Sequence, residues 1–169
     1  SLHDALLISV FRDNELPKEE YWQKVSSLCK EHGIVLIVDD VRAGFRINLS
    51  GSNVAYGFTP DLICFGKAIA NGYPLSALVG NNDLKEAAEK VYFTGTQFFS
   101  APPMAAARAT LLELKKSDAA NKMTDYGKKL NNSLIEVASQ FGYKLVASGP
   151  PSMPYRSEEH TSELQSLVN

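Results

Sequence analysis

At 169 residues with 44% hydrophobic content, the chain has the size of one ordinary domain or of part of a larger protein, with enough apolar residues for a core. Seventeen Lys+Arg against nineteen Asp+Glu leave a formal charge of −2, so no field recruits nucleic acid or an anionic membrane, and small neutral or zwitterionic partners remain open. The longest apolar run, Ile34 to Val38, is strand-sized and far short of the roughly 20 residues that cross a bilayer.

In chain order, Ala5 to Phe11 reads as a buried strand. Pro17-Lys18-Glu19-Glu20 opens a helix that runs to about His32, where Gly33 ends it. Tyr21, Val25 and Leu28 recur at helical spacing, with Trp22 and Cys29 beside them, so one face is expected to pack on a sheet. Ile34 to Val38 is the next strand, and the strand, helix and strand form a βαβ unit with parallel strands. Arg42 to Pro60 carries Gly, Ser and Asn without helical period, and reads as a long structureless loop of functional or interface character. Asp61 to Phe65 and Leu75 to Val79 follow as strands whose connection is too short for a parallel crossover, so they should be antiparallel neighbours with Lys67 near their joining end.

Asp83 is expected to cap a helix to about Lys90. A stretch rich in aromatics and small residues follows, Tyr92 to Ser100, within which Thr94 to Ser100 reads either as an aromatic interface strand or as a functional segment, and Pro102 starts a helix that continues through Leu111, Leu112 and Leu114. Ser117-Asp118 breaks it before a more solvated helix to about Gln140, and Gly142 to Ala147 opens a strand whose partners are expected to lie outside the chain. The chain begins at Ser1 without a methionine and is expected to start inside a longer protein. Arg156 to Ser166 matches the in-frame translation of a common sequencing-adapter oligonucleotide, so residues 156–169 are expected to be a non-native tail and carry no weight in fold reasoning.

Cys29 and Cys64 have no CxxC spacing, which points to free thiols and a reducing, cytoplasmic compartment. His3, His32 and His160 are scattered, so no protein metal site is expected. The chemistry is sought instead at the strand ends, because ligands of open α/β sheets bind outside the carboxyl ends of the strands. Two residues stand there. Lys67 follows Phe65-Gly66 and is expected to be semi-buried beside Ile69, with an amine made nucleophilic toward an aldehyde by desolvation. Asp39-Asp40 closes the preceding aliphatic run, and a carboxylate there needs a positive partner: a metal, a lysine or a protonated ring nitrogen. Successive strand residues face opposite sides, so one of the two acids belongs to the site and the other is structural, paired with Arg42 or Arg46.

An aliphatic run closed by Asp-Asp also describes a Walker B strand, so a fragment of a P-loop ATPase is the main alternative. Gly66-Lys67-Ala68, however, lacks the earlier glycine and the Ser/Thr that a phosphate loop requires.

Taken together, Leu36 to Arg46, then Thr59-Pro60-Asp61-Leu62, then Gly66 to Ala77 resemble the class III aminotransferases, and in particular glutamate-1-semialdehyde aminomutase-like proteins, over about residues 5 to 150. The resemblance implies an α/β fold: part of the fold type I large domain, a mostly parallel sheet flanked by helices, over residues 1–117, with the start of the small C-terminal domain over 118–155. It implies pyridoxal 5'-phosphate as cofactor and a small amino acid, amine or keto compound as substrate. Lys67 matches the lysine that forms the internal aldimine and later shuttles a proton. Asp39 matches the aspartate that pairs with the pyridine nitrogen, and Val41 the aliphatic residue on the ring face. Thr96 matches the residue that reaches the cofactor phosphate of a neighbouring subunit in a homodimer, although counting back from Pro102 reaches Gln97 instead.

The sequence departs from the pattern in three places. Ser9-Val10-Phe11-Arg12 replaces a Glu-Pro pair, Asp40 replaces a glutamate, and Ala101 replaces an asparagine. The family's phosphate-cradling loop and ring-stacking aromatic would lie upstream of Ser1, so the chain by itself is expected to be inactive. A non-catalytic homologue with the same fold is the second alternative.

Overall fold

The computed structural model describes residues 5–9, 16–18 and 20–158. A four-stranded sheet takes the order β1 (Ala5–Ser9), β2 (Val35–Asp39), β3 (Leu62–Phe65) and β4 (Ala77–Gly80). The first three strands are parallel, with Ser9 opposite Asp39 and Asp39 opposite Cys64, while β4 runs antiparallel with Phe65 opposite Ala77. The expected βαβ unit and antiparallel last strand are both present, and the register sets the ends of β2 and β3 at one edge. Val10 and Phe11, expected to extend the first strand, lie outside the described residues.

Helix α1 (Tyr21–Glu31) begins later than Pro17, because Glu20 adopts a left-handed φ of 63° that no α-helix continues. Its end is as expected. Gly33 takes φ 65°, the Ile34 N–H donates to the Cys29 carbonyl at 2.8 Å, and the Gly33 N–H donates to that of Lys30, the paired bonds that close a helix on a left-handed glycine. Trp22 and Cys29 are its buried face, and Trp22 stacks on Phe58 at 5.3 Å. With Leu36, Val38 and Ala43 they form one core cluster, while Phe45, Phe65, Ile69, Ala70 and Ala107 form another.

The excursion from 42 to 60 is not structureless. It turns at once, forms the short helix α2 (Ser52–Ala55), and buries Ala43, Phe45, Ser52 and Phe58. Its glycines and serines obscured the apolar residues because those follow neither a period of 2 nor of 3.6. Asp83 is no cap either. It sits inside a 3-10 turn, Asn82–Leu84, that runs into α3 (Lys85–Glu89), whose cap position is Leu84 with no side-chain bond. Thr94 to Ser100 forms no strand, and residues 96–99 make a turn instead.

Helices α4 (Ala101–Lys116) and α5 (Ala119–Gln140) break at Ser117-Asp118, where Asp118 takes a left-handed φ of 52°. A second sheet pairs β5 (Leu145–Ser148) antiparallel with β6 (Tyr155–Glu158), so β5 does find a partner within the chain. Residues 156–158, assigned from sequence to the non-native tail, lie in that strand, and Arg156 donates to Asn131 Oδ1 at 2.9 and 3.1 Å.

The segment between β5 and β6 sits directly on α5. A Cβ at the buried Gly127 would lie 1.9 Å from the Pro151 carbonyl oxygen, which real atoms do not tolerate. Alanine ordinarily improves a helix interior over glycine by about 1 kcal/mol. Here the sign reverses. Gly127→Ala is expected to destabilise the intact protein by about 1–3 kcal/mol, the scale of overpacking, because the 150–152 backbone has to lift from the helix. A raised Tm in thermal unfolding would contradict this close approach.

Candidate active site

The parallel pairing of β2 and β3 carries Asp39 and Lys67 to one sheet edge. The ladder extends one step past Asp39, as the Asp40 N–H donates to the Cys64 carbonyl at 2.9 Å, and three residues beyond Cys64 stands Lys67. Val41 links the two strand ends. A Cβ on Gly66 would lie 3.2 Å from Val41 Cγ1, so the valine side chain rests on the bare backbone just before the lysine. Lys67 itself has φ 44°, uncommon for a residue with a Cβ, and opens a 3-10 turn, Lys67–Ala70. Ile69 and Ala70 are buried beneath that turn with Phe65, and the Ile69 N–H bonds the Gly66 carbonyl at 3.1 Å.

The lysine is exposed, not semi-buried as expected. Its apolar neighbours pack under the turn and anchor its backbone, while the side chain faces an open cleft of about 580 Å³ lined also by Phe45, Arg46, Asn71, Thr110 and Glu113. Thr110 and Glu113, which α4 brings to the cleft, carry no signal in the sequence. Phe45 and Arg46 belong to the family-like stretch Leu36 to Arg46, and Arg46 is also a sequence candidate for pairing with the acidic residues.

The two adjacent carboxylates separate as the strand pleat requires. Asp39 is exposed and its Oδ1 accepts the Val41 N–H at 3.1 Å, which leaves its second oxygen with capacity for a cationic N–H. Asp40 is 0% exposed, and its Oδ2 accepts the Ser52 N–H at 2.9 Å. The expected pairing of Asp40 with Arg46 is absent, because the Arg46 guanidinium donates through Nη1 to the Arg42 carbonyl. Burial pushes the Asp40 carboxyl above the ordinary carboxylate range. The side chain and N–H of Ser52 oppose that rise, and the negative charge of Asp39 adds to it.

A raised folded-state pKa on an acid has a definite stability sign. The contribution is full below the unfolded value of about 3.9 and is lost as pH rises through the raised value. Asp40→Asn carries no charge at any pH, so its stability relative to wild type is expected to be higher near neutrality than near pH 4. Thermal unfolding of both proteins at the two pH values reads this directly, and a difference independent of pH would contradict the raised value.

Thr96 is not part of this edge. It is exposed in a turn and lines a separate cleft of about 440 Å³ with Gln97, Phe98, Phe99, Leu75 and Met104. Around it Tyr92, Phe93 and Phe99 are 90%, 70% and 75% exposed, an apolar patch of the kind that marks contact surfaces. Both cysteines are free, Cys29 buried and Cys64 half-buried, and burial raises both thiols. Among the described residues no cluster of His, Cys, Asp or Glu could hold a metal, and no helix is long and apolar enough to cross a membrane.

Comparison with known proteins places this geometry in context. The family model Aminotransferase class-III matches residues 14–147. Among curated relatives, an aminopentol aminotransferase of Sphingopyxis macrogoltabida is 41% identical over 86% of the chain and 34% of its own length. A glutamate-1-semialdehyde 2,1-aminomutase of Desulfatibacillum aliphaticivorans is 36% identical over 81% of the chain and 33% of its own length. The FumI protein of Sphingopyxis sp. MTA144, solved in its PLP internal aldimine form, superposes with a TM-score of 0.87 at 38% identity, over 91% of the chain and 38% of that protein. The chain thus spans about a third of the length of the curated relatives it matches.

Proposed function

The chain belongs to the class-III aminotransferase family, a pyridoxal 5'-phosphate-dependent family of fold type I, and from that premise we propose that the protein containing it transfers an amino group between small molecules. The observation that carries the reading is the meeting of Asp39, Val41 and Lys67 at one sheet edge, with Val41 resting on Gly66 between the other two.

The residues present fit the cofactor. Pyridoxal phosphate supplies an electron sink for charge developing on the carbon that bears the amine. The exposed Asp39 carboxylate, with one oxygen committed to the Val41 N–H, has its remaining acceptor capacity for the protonated ring nitrogen and favours that charged form. Val41 offers an apolar surface to a ring face. Lys67 Nζ is the amine that would hold the cofactor's aldehyde carbon, then take and return the proton of the reacting carbon. Thr96 is the proposed phosphate contact to a neighbouring subunit's cofactor, which makes the working unit a homodimer with the exposed aromatic turn around Thr96 at the contact. The proposed division is a cofactor domain through residue 117 and the start of a small domain through 155. Because the chain spans only about a third of its relatives, a complete site needs segments outside it, and the chain alone is proposed to be inactive.

The nucleotide-hydrolysing alternative is not favoured, since the family match spans both Asp39 and Lys67. An aminomutase is the second reading, because one relative at 36% identity carries that activity. The two readings differ in what they consume. A transaminase requires a separate keto acceptor and a mutase turns over one substrate alone. The intact protein, loaded with pyridoxal phosphate and given amine donors with and without a keto acceptor, is expected to form product only when the acceptor is present. Absence of cofactor uptake would sink both readings. The free thiols are consistent with a cytoplasmic protein.

A further inference from the structure

Asp40 occupies the one position between Asp39 and Val41, and three of its polar groups are committed to three different segments. Its N–H donates to the Cys64 carbonyl of β3 at 2.9 Å, its carbonyl accepts the Gly44 N–H at 2.8 Å, and its Oδ2 accepts the Ser52 N–H at the start of α2 at 2.9 Å. The turn closes so tightly around it that a Cβ on Gly44 would lie 2.8 Å from the Asp40 carbonyl oxygen and 2.7 Å from the Phe65 ring. A fully buried carboxylate held by a backbone N–H rather than by a cation is a costly choice for a purely structural position. Its neighbours give the reason. Asp39 on one side and Val41 on the other are the two groups that would face the cofactor ring, and Val41 also rests on the backbone that leads into Lys67.

We propose that Asp40 is a positioning residue: its buried carboxylate ties the end of β2 to Ser52 and thereby fixes the direction in which Asp39 and Val41 present themselves to the cofactor ring. The proposal rests on the reading of Asp39 as the partner of the ring nitrogen. What matters is an acceptor at the Oδ2 position, since the bond is made to a backbone N–H. An amide oxygen supplies the same acceptor and a methyl does not. Asn53 Oδ1 is buried without a protein hydrogen bond, so the amide nitrogen that replaces the unpaired Asp40 Oδ1 also brings a donor to a region with a spare acceptor.

The test uses the intact protein with three substitutions. Asp40→Ala is expected to speed amide hydrogen exchange in the cofactor-free protein at Val41, Gly44 and Ser52 at least tenfold. In the loaded protein it should lower kcat at least tenfold with KM changed less than threefold, and shift the pH titration of the cofactor's visible absorption band. Asp40→Asn is expected to restore exchange, titration and kcat to within threefold of wild type. Phe58→Leu, which loosens the cluster beneath the same excursion without touching the Asp40 bonds, is the control and should lower Tm while leaving the band titration in place. If Asp40→Ala lowers Tm but leaves the band titration and kcat as in wild type, the residue is only structural and the proposal is overturned. Unchanged exchange at those three amides overturns it as well. A wild-type protein that shows no cofactor band overturns the functional reading together with this proposal, whereas a normal wild-type band with an indifferent Asp40→Ala overturns this proposal alone.

Discussion

Lys67→Ala in the intact protein is expected to lower turnover by about a thousandfold, within the range of roughly 10²–10⁴ that a positioned proton-transfer group contributes. The substitution removes the amine while leaving its scaffold intact. Lys67 is exposed, and its backbone is held by the buried Phe65, Ile69 and Ala70 and by the bond from the Ile69 N–H to the Gly66 carbonyl. Lysine and alanine both carry a Cβ at the left-handed φ of 44°, so the backbone strain is the same in both. Tm should therefore stay within the range of a surface change, about 0.5 kcal/mol in stability. The visible absorption that depends on the lysine amine should vanish even where the cofactor remains bound. Lys67→Arg should be as inactive as alanine, because a guanidinium that stays protonated is no nucleophile. Turnover within tenfold of wild type in Lys67→Ala would end the assignment.

The second large effect concerns charge rather than nucleophilicity. Asp39→Asn retains an oxygen for the Val41 N–H, so the end of β2 should keep its shape, but it removes the negative charge proposed to hold a ring nitrogen protonated. A hydrogen bond to a charged group contributes about 1.5–3 kcal/mol, so kcat/KM should fall roughly ten- to a hundredfold. The loss should appear mainly in kcat, since the charge acts on the reacting electrons more than on substrate binding. Asp40→Asn makes the sharpest comparison. The same chemical change one residue along is expected to leave kcat within threefold of wild type and to improve relative stability near neutral pH. If the two asparagine variants behave alike, the division of labour between the adjacent acids is wrong.

Much of this was legible locally. Val35 to Val38 and Leu62 to Phe65 are β-branched and aliphatic runs bounded by polar residues, and both form strands of the sheet, β2 mostly buried and β3 half-buried up to the buried Phe65. Gly33 announced the end of α1, and the short link through Asn71-Gly72 allowed only an antiparallel return. The elements that misled were those whose apolar residues follow no period. Phe45 and Phe58 are core residues inside a stretch that otherwise reads as loop, and Asp83 looked like a cap until Asn82–Leu84 tightened into a 3-10 turn. The start of α1 also moved, because the left-handed Glu20 depends on how the preceding chain approaches the helix.

The sequence by itself determined the strand order of a βαβ unit, the placement of an acidic pair and a lysine at neighbouring strand ends, and the motif spacing shared with one enzyme family. Those follow from periodicity and chain connectivity, which act over a few residues. Only the tertiary structure decided which carboxylate stays open to solvent and which is buried. The pleat requires Asp39 and Asp40 to face opposite sides, but the N–H of Ser52, twelve residues away, makes Asp40 the buried one. It also left Lys67 exposed over a buried turn and set Thr96 at a separate cleft. Desolvation and hydrogen bonding are properties of what packs around a group, and the groups that pack here come from segments that no local pattern brings together.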